Sequence, residues 1–537
     1  MFSENWRIKN IRFSINCITC ENFVKTMALM SCGAQFSADQ LNNHYAGVST
    51  DLHYETPKHK STASKYIEIV SEQQVFKMLD SGRSTAAGMD ALPFWFLRLA
   101  APCISAPLAY LYNMSLCFSY VPPQWKVGLI TPVPKIPSPM SCSDFRPITV
   151  TPILSRLLER VVVKCFLYPV FINENSKHLF LDQFAYRPTG STTAAITALL
   201  HHISELLLTN PYVHVIALDF SKAFDTVRHS TLMEKFANFP VPDYVYNWLV
   251  NFLTSRCHHT KFNDIISLIA FINASIVQGS GIGPGTFSVN ASDLHPINLI
   301  NLFLKYADDV DLVVPASHSQ TVVAELDSIS SWASTNNLKL NVSKSCELIV
   351  KRPRLSLVDP CIPPPVPGLP RVTSLKTLGV TFSDKLDFSE HFRNAVAKAS
   401  KSMYALKILR AHGLCGQRLW QVCEATSVTH LTYAAPAWWG YADSGAKHQL
   451  QSVLAKLKRY GFLPPDFPSH QQLCDKMDKQ LFLQILDNHT HVLHQLLPPR
   501  KDTQHSLRPR AHNRIIPPAD AKFKRNLIIR MLYLNSY

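Results

Sequence analysis

The residues with the clearest capacity for chemistry are carboxylates in two short stretches. These are Val215-Ile-Ala-Leu-Asp219-Phe-Ser-Lys-Ala-Phe224-Asp225 and Leu304-Lys-Tyr306-Ala-Asp308-Asp309-Val310. In each, an apolar run ends on an acid. Residues 213–218 are rich in β-branched side chains and of strand length, and the run turns polar at Asp219. Residues 302–306 and 310–314 read as the arms of a β-hairpin with Ala307-Asp308-Asp309 at its tip. Two carboxylates on neighbouring strand ends can hold two divalent cations about 4 Å apart, the arrangement used for in-line phosphoryl or nucleotidyl transfer. Mg²⁺ suits such a site because it prefers oxygen and takes one or two carboxylates plus substrate phosphates; Mn²⁺ is the alternative ion. The plainer reading of each half alone is turn chemistry, since Asp commonly ends strands and forms hairpin tips.

The elements that must position these groups can be taken in chain order. Residues 36–44 can open a helix capped by Ser37, in an otherwise weakly patterned first 60 residues, and 50–64 read as a polar linker. Residues 64–79 have helical apolar spacing and run into the Gly-rich turn 81–93. Residues 125–135 read as a strand broken by prolines, and 153–165 and 192–207 as helices. After Asp225, 231–236 and 245–253 look helical, while 260–263 and 274–278 look like strands flanking a cleft. In Gln278-Gly-Ser-Gly-Ile-Gly-Pro284 the glycines permit close backbone approach, and Pro284 can open a helix. Its spacing is not the dinucleotide-binding fingerprint. Residues 321–338 form an amphipathic helix, a strand ends at Val350, and 360–370, with six prolines, are a loop. A long basic helix spans 388–412, displaying Lys398, Lys401, Lys407 and Arg410. Trp438 and Trp439 could stack on bases, but paired Trp is more often a core anchor, the reading favoured here.

Composition limits the classes. With 537 residues, 47% hydrophobic and 17% charged, the chain is globular rather than disordered and long enough for several lobes. Lys and Arg outnumber Asp and Glu 53 to 38, giving +15. That excess fits a polyanionic partner, nucleic acid being the commonest, although a merely basic soluble protein has the same balance. The 13 Cys are scattered; Cys17-Ile-Thr-Cys20 is the only C-x-x-C, and no zinc-finger spacing accompanies it. Reduced thiols in an intracellular protein are expected. No run of about 18 apolar residues stands out, so no membrane partner is expected, and the N-terminal residues lack a secretory pattern.

Three of these stretches together resemble a known family. Asp219-Phe-Ser-Lys-Ala-Phe224-Asp225, Gln278-Gly-Ser-Gly-Ile-Gly-Pro284 and Tyr306-Ala-Asp308-Asp309 look like motifs A, B and C of reverse transcriptases. More narrowly, they resemble those of LINE-type (non-LTR), jockey-like retrotransposons. The turn at 81–93 is similar to the segment that opens these polymerases. The resemblance implies an α+β right-hand polymerase: a remnant or linker at 1–60, fingers and palm at 61–385, a helical thumb at 386–500 and a basic, RNA-contacting tail at 501–537. It implies catalysis by Asp219, Asp308 and Asp309, with Asp219, Asp308 and the Phe220 carbonyl holding two Mg²⁺. Lys135, Arg146, Phe224, Gln278 and Gly279 would bind the incoming nucleotide, Phe224 as the bulky gate that rejects a 2′-hydroxyl. Arg187, Tyr306, Leu378, Gly379, Lys398 and Lys401 would contact nucleic acid, and residues 375–382 would grip the primer terminus. Lys344 matches the lysine of motif D, a general acid for pyrophosphate departure or a surface lysine. Lys222 and Asp225 are read as local ion-pair partners. Two departures, Val277 for the usual Pro and Asn290-Ala-Ser-Asp293 for a Y-I-N-D stretch, touch the supporting helix rather than the carboxylates.

The implied activity is RNA-directed DNA synthesis from a primer 3′-hydroxyl and dNTPs on an RNA template. Two rivals stand beside it: an RNA-dependent RNA polymerase or intron-type relative, and a non-catalytic nucleic-acid-binding remnant of a decayed or co-opted element. The filled carboxylate positions and Phe224 favour DNA synthesis. Related elements usually carry an endonuclease ahead of the polymerase, and 60 residues are too few to fold one. A truncated copy or fragmentary gene is therefore expected, with the endonuclease supplied by another protein or by missing upstream sequence. A ribonucleoprotein of nucleus or cytoplasm is the expected setting.

Overall fold

The computed structural model describes residues 36–61, 69–352, 362–501 and 512–534. The Cys17-Cys20 pair, Arg508 and Arg510 lie outside the described residues. The architecture is α+β, and its centre is a five-stranded sheet. The strands are β1 (Val127–Pro134), β2 (Phe145–Val150), β3 (Tyr212–Leu218), β4 (Arg256–Phe262), β5 (Ile265–Ile266), β6 (Ala270–Ile272), β7 (Leu302–Tyr306), β8 (Asp309–Pro315), β9 (Cys346–Lys351), β10 (Arg371–Val372), β11 (Ser374–Thr377) and β12 (Val380–Ser383). The palm sheet runs β10-β9-β3-β8-β7, a finger sheet runs β2-β1-β4-β5 with β6 beside β4, and β11-β12 is a separate hairpin.

The strand β3 is central because both its faces are apolar. Val213 and Val215 join one core with the helix Thr192–Leu206, while Ile216 and Leu218 join another with β8's Val310, Leu312 and Val314. Side chains alternate along a strand, so one β-branched run feeds two cores. The helix Ser389–Ala411 packs on the Val213–Val215 core, as do Trp438 and Trp439, both buried. Core anchoring of the two tryptophans is what the structure shows.

The prolines of β1 fall where they do no harm. β4 pairs with β1 only along Val127–Ile130, whereas Pro132 and Pro134 face β2 alone, so their missing N–H groups leave no ladder broken on the other side. Residues 260–262 are strand, within β4, but 274–278 are not: they form a loop tied to Val227 and Phe224 by backbone bonds.

Several expectations need correction. Residues 36–61 are not a loose remnant. The helix Ala38–Val48, with a Ser37/Gln40 capping box, lays Leu41 and Tyr45 on finger residues Ile130, Phe145 and Phe262. The expected linker is pinned: Asp51 pairs with Arg228 at 2.7 Å, and the Lys60 backbone meets Asn247. The next described helix begins at Glu72, where Ser71 and Gln74 form a capping box; the expected start at 64 lies outside the described residues. Nor is 512–534 a free basic tail. Its helix Leu527–Leu534 is apolar on its inner face, and Arg530 pairs with Asp478 at 2.6 Å. The helix Phe94–Cys117 is long and apolar enough for a membrane span by length and composition alone, although Arg98, Ser105 and Asn113 interrupt any continuous apolar run. Its apolar window has hydropathy 1.3, with only 33% of that window buried. Leu97, Ala101, Leu108, Tyr112 and Leu116 face the core, while Trp95, Phe96, Leu99 and Tyr110 face outward.

Candidate active site

Register brings the acids together. β3 and β8 are antiparallel, with Leu218 opposite Val310. One step further, Asp219 leaves β3 where Asp309 enters β8, and directly opposed Cα atoms in such a ladder are about 4.5–5.5 Å apart. The hairpin closes through a two-residue loop, Ala307-Asp308, between the paired Tyr306 and Asp309, with Ala307 at φ 58°. That strained tip is held from outside. Gln183 Oε1 accepts from the Ala307 amide at 3.2 Å, and residues 182–184 run along β7, with Phe184 donating to Lys305 O and Lys305 to Asp182 O.

On the other side Asp219 is held by the segment before β9. Asn341 Nδ2 donates to Asp219 Oδ2 at 3.0 Å, the Asn341 amide to the Asp219 carbonyl at 2.7 Å, and Ser345 Oγ accepts from the Asp219 amide at 3.1 Å. The lone bridge Phe220–Leu340 completes this ladder through its flanking residues. In that pattern the amide and carbonyl of Phe220 itself point away from residues 339–341, toward the hairpin side. Asn341, Ser345 and Gln183 were not legible as site residues, since each acts through a hydrogen bond across more than a hundred residues.

The acids are electrostatically crowded. Burial raises the Asp308 carboxyl, with Asp219 adding to it; burial, then Asp308 and Asp219, push Asp309 to about 6. Asp309 reaches the open cleft, so solvent screens part of that push. Among the described residues the cation in ion-pair range of the cluster is Lys344, whose exposed Nζ lies 3.9 Å from Asp219 Oδ2. Lys344 thus stands beside the acids, its side chain exposed. No three His, Cys, Asp or Glu among the described residues gather tightly enough to cage an ion unaided. A pair of carboxylates, a free carbonyl and unmatched negative charge fit instead a hard cation whose shell is completed by substrate oxygens.

Beside the acids lies a cleft lined by His44, Tyr45, Lys135, Lys222, Asp225 and Gln278, among others. Lys135 follows β1 and donates to Ser143 O at 2.6 Å; burial, then Lys222, Lys344 and Arg146, lower its pKa. Arg146 is exposed on β2. Phe224 stacks on Phe287 at 4.5 Å. Gln278 leaves Oε1 buried without a partner, and its carbonyl accepts from the Thr149 amide. Gly279, at φ 113°, lies so close to Thr149 that a Cβ would sit 2.2 Å from its carbonyl oxygen, so only glycine fits. The helix Gly283–Asn290 starts on Glu159, whose Oε2 accepts from Gly281 and Ile282 amides at 2.5 and 3.3 Å.

Three expected roles change. Among the described residues Lys222 and Asp225 form no ion pair. Lys222 Nζ lies 3.4 Å from His44 Nε2, and Asp225 belongs to the cleft, burial raising it to about 6 with Asp308 adding to the effect. Arg187 does not reach outward for template: its guanidinium donates inward to the Phe180 and Gln183 carbonyls, because the chain folds back at Tyr186, φ 57°. Lys398 and Lys401 are exposed, but Lys407 lies over the Tyr460 ring and Arg410 over Phe462, so half of the expected basic face is engaged within the thumb. Leu378 and Gly379 form the positive-φ turn of β11-β12, and Tyr306 lies near Tyr433 and Asp309. His44 and Tyr45 were missed, because their helix gains meaning only by docking on the fingers.

The chain is similar to several known proteins. The family model described as reverse transcriptase (RNA-dependent DNA polymerase) matches residues 133–382. The chain is 25% identical over 427 residues to a probable RNA-directed DNA polymerase from transposon BS of Drosophila melanogaster, covering 75% of this chain and 46% of that protein. It is 27% identical over 329 residues to the RNA-directed DNA polymerase from mobile element jockey of the same species, covering 58% and 34%. The chain therefore spans less than half the length of these relatives. Among solved structures, apo telomerase from Candida tropicalis aligns over 63% of this chain and 60% of its own, at 14% identity and TM-score 0.36.

Proposed function

We propose that this chain, whose residues 133–382 are a reverse transcriptase domain of the LINE-type (non-LTR) retrotransposon kind, is an RNA-directed DNA polymerase. It extends a DNA primer with dNTPs on an RNA template. The observation that carries this reading is the β3–β8 register, which sets Asp219 beside Asp308 and Asp309 while leaving their charge largely unmatched.

In this reading Asp219, Asp308 and the Phe220 carbonyl hold two Mg²⁺ ions. When bound, such ions activate the attacking hydroxyl and neutralise charge on the leaving group. Asn341 orients Asp219 by its 3.0 Å bond. Lys135 and Arg146, on neighbouring finger strands, bind the triphosphate, Lys as a point charge and Arg as a planar fork. Lys344 delivers a proton toward departing pyrophosphate. Phe224, braced by Phe287, stands under the sugar and excludes a 2′-hydroxyl. Gln278 and Gly279 pack against base and template, while Tyr306, Leu378 and Gly379 seat the primer terminus and Lys398 and Lys401 track the backbone. A template gripped by backbone and shape can be RNA.

The test is extension of a labelled primer on an RNA template by the purified chain with Mg²⁺, comparing dNTPs with rNTPs. Extension with dNTPs alone, abolished in Asp219→Ala, is expected. Equal activity of wild type and Asp219→Ala, or none in either, removes the polymerase and leaves a nucleic-acid-binding remnant; preference for rNTPs points to the RNA-polymerase rival.

A further inference from the structure

One buried acid on the palm sheet has no part in the site just described. Asp311 lies two residues beyond Asp309 on β8, so both share a face. Its cross-strand neighbours are Ala217 on β3 and Leu304 on β7, and its own face continues to Val313 and the apolar core of Val213 and Val215. The residue is only 7% exposed. A carboxyl in such a setting needs a partner, and it has one from a different element: Thr377 Oγ1 donates to Asp311 Oδ2 at 3.0 Å.

Thr377 is the last residue of β11, immediately before the turn Leu378-Gly379, whose φ angles are 46° and 84°. The far side of that turn is held by the thumb, where Tyr433 donates its hydroxyl to the Leu378 carbonyl at 2.8 Å. The hairpin is thus fixed by a polar bond on each side, one to the strand that carries Asp309 and one to the helical lobe. Tyr306, Asp309, Asp311 and Leu378 together line a small cavity between the hairpin and the palm.

We infer that Asp311 is a positioning residue for the primer terminus: through Thr377 it sets the height of the Leu378-Gly379 turn relative to Asp308 and Asp309. It touches neither nucleotide nor primer. The inference rests on the polymerase reading above and adds to it a link between the primer-holding hairpin and the catalytic strand. A bond between two otherwise separate sheets specifies their relative placement, which hydrophobic packing along the hairpin leaves free to slide.

The experiment is steady-state primer extension by the full chain, measuring KM for primer–template and for dNTP separately, with melting temperature for each variant. Thr377→Val and Asp311→Leu are each expected to raise KM for primer–template about 10-fold, with KM for dNTP unchanged. The double variant is expected to be no worse than either single, because one bond is removed once. Thr377→Ser and Asp311→Asn, which keep the donor and an acceptor, are expected to restore near wild-type values. Should Asp311→Leu not fold, Thr377→Val, whose loss is a single hydroxyl, still decides. Unchanged primer KM in Thr377→Val, additive losses in the double variant, or equal shifts in both KM values overturn the inference while leaving the polymerase intact. Absence of wild-type extension overturns both.

Discussion

Two clusters of acid on one sheet, one open to solvent and one buried, are handled in opposite ways. At the end of β3, Asp219, Asp308 and Asp309 repel one another, and Asp309 is pushed to about 6. Five residues back along β3, on the opposite face, His214 Nδ1 meets Glu347 Oε1 at 2.8 Å, and Arg371 grips the same carboxylate with two bonds of 2.8 and 3.1 Å. Glu347 is wholly buried. Burial alone would raise it, yet the bonds from His214 and Arg371 outweigh that and hold it at about 2. One cluster has its charge matched by the fold; the other waits for charge from outside. Perturbation toward the neutral form, with only the exposed Lys344 in ion-pair range among the described residues, separates the first cluster from the charge-matched second.

The sharpest way to break the comparison is to neutralise one acid at each end. Asp308→Asn should lower the extension rate at least ~10³-fold, since a metal ligand is lost, while the melting temperature stays level or rises because a repelled carboxylate is gone. Glu347→Ala should do the reverse. It strands a half-buried Arg and a buried His and is expected to cost about 3–5 kcal/mol of stability, with activity per folded molecule retained. Chemical denaturation beside single-turnover extension reads both; a large activity loss in folded Glu347→Ala would erase the distinction.

Acid titration sharpens it further. Glu347 is depressed from 4.5 to about 2, so its contribution is present above pH 4.5 and lost as pH falls through about 2, an effect of about 3 kcal/mol. Asp309 is raised to about 6, so its penalty is present above pH 6 and relieved as pH falls toward 4. Stability followed by circular dichroism should rise slightly from pH 6 to 4 and drop below it. Glu347→Gln should lose much of the lower slope, and Asp309→Asn should reduce the upper one, which the raised Asp225 and Asp311 share. The smallest effect is from metal. Millimolar Mg²⁺ should stabilise the wild type by about 1 kcal/mol, EDTA should reverse it, and Asp308→Asn should not respond. An equal Mg²⁺ response in Asp308→Asn would place the ion elsewhere.

What could be read from the residues alone was local. β-Branched runs ending in acids, a hairpin with Asp at its tip and a Gly-rich loop announce themselves over a dozen positions, so β3, β7, β8 and the helices Thr192–Leu206 and Ser389–Ala411 lie within a residue or two of expectation. Ser37 and Ser71 caps were written in the same local code, although only the first helix start was legible. What tertiary structure alone decided was partnership. Arg187 turned inward, Lys407 and Arg410 settled on aromatic rings, and Asp225 took its place in the cleft with His44 because each side chain's environment comes from segments far away in the chain. A cation's type says that it can meet phosphate; only the fold says whether a carbonyl or a ring has met it first.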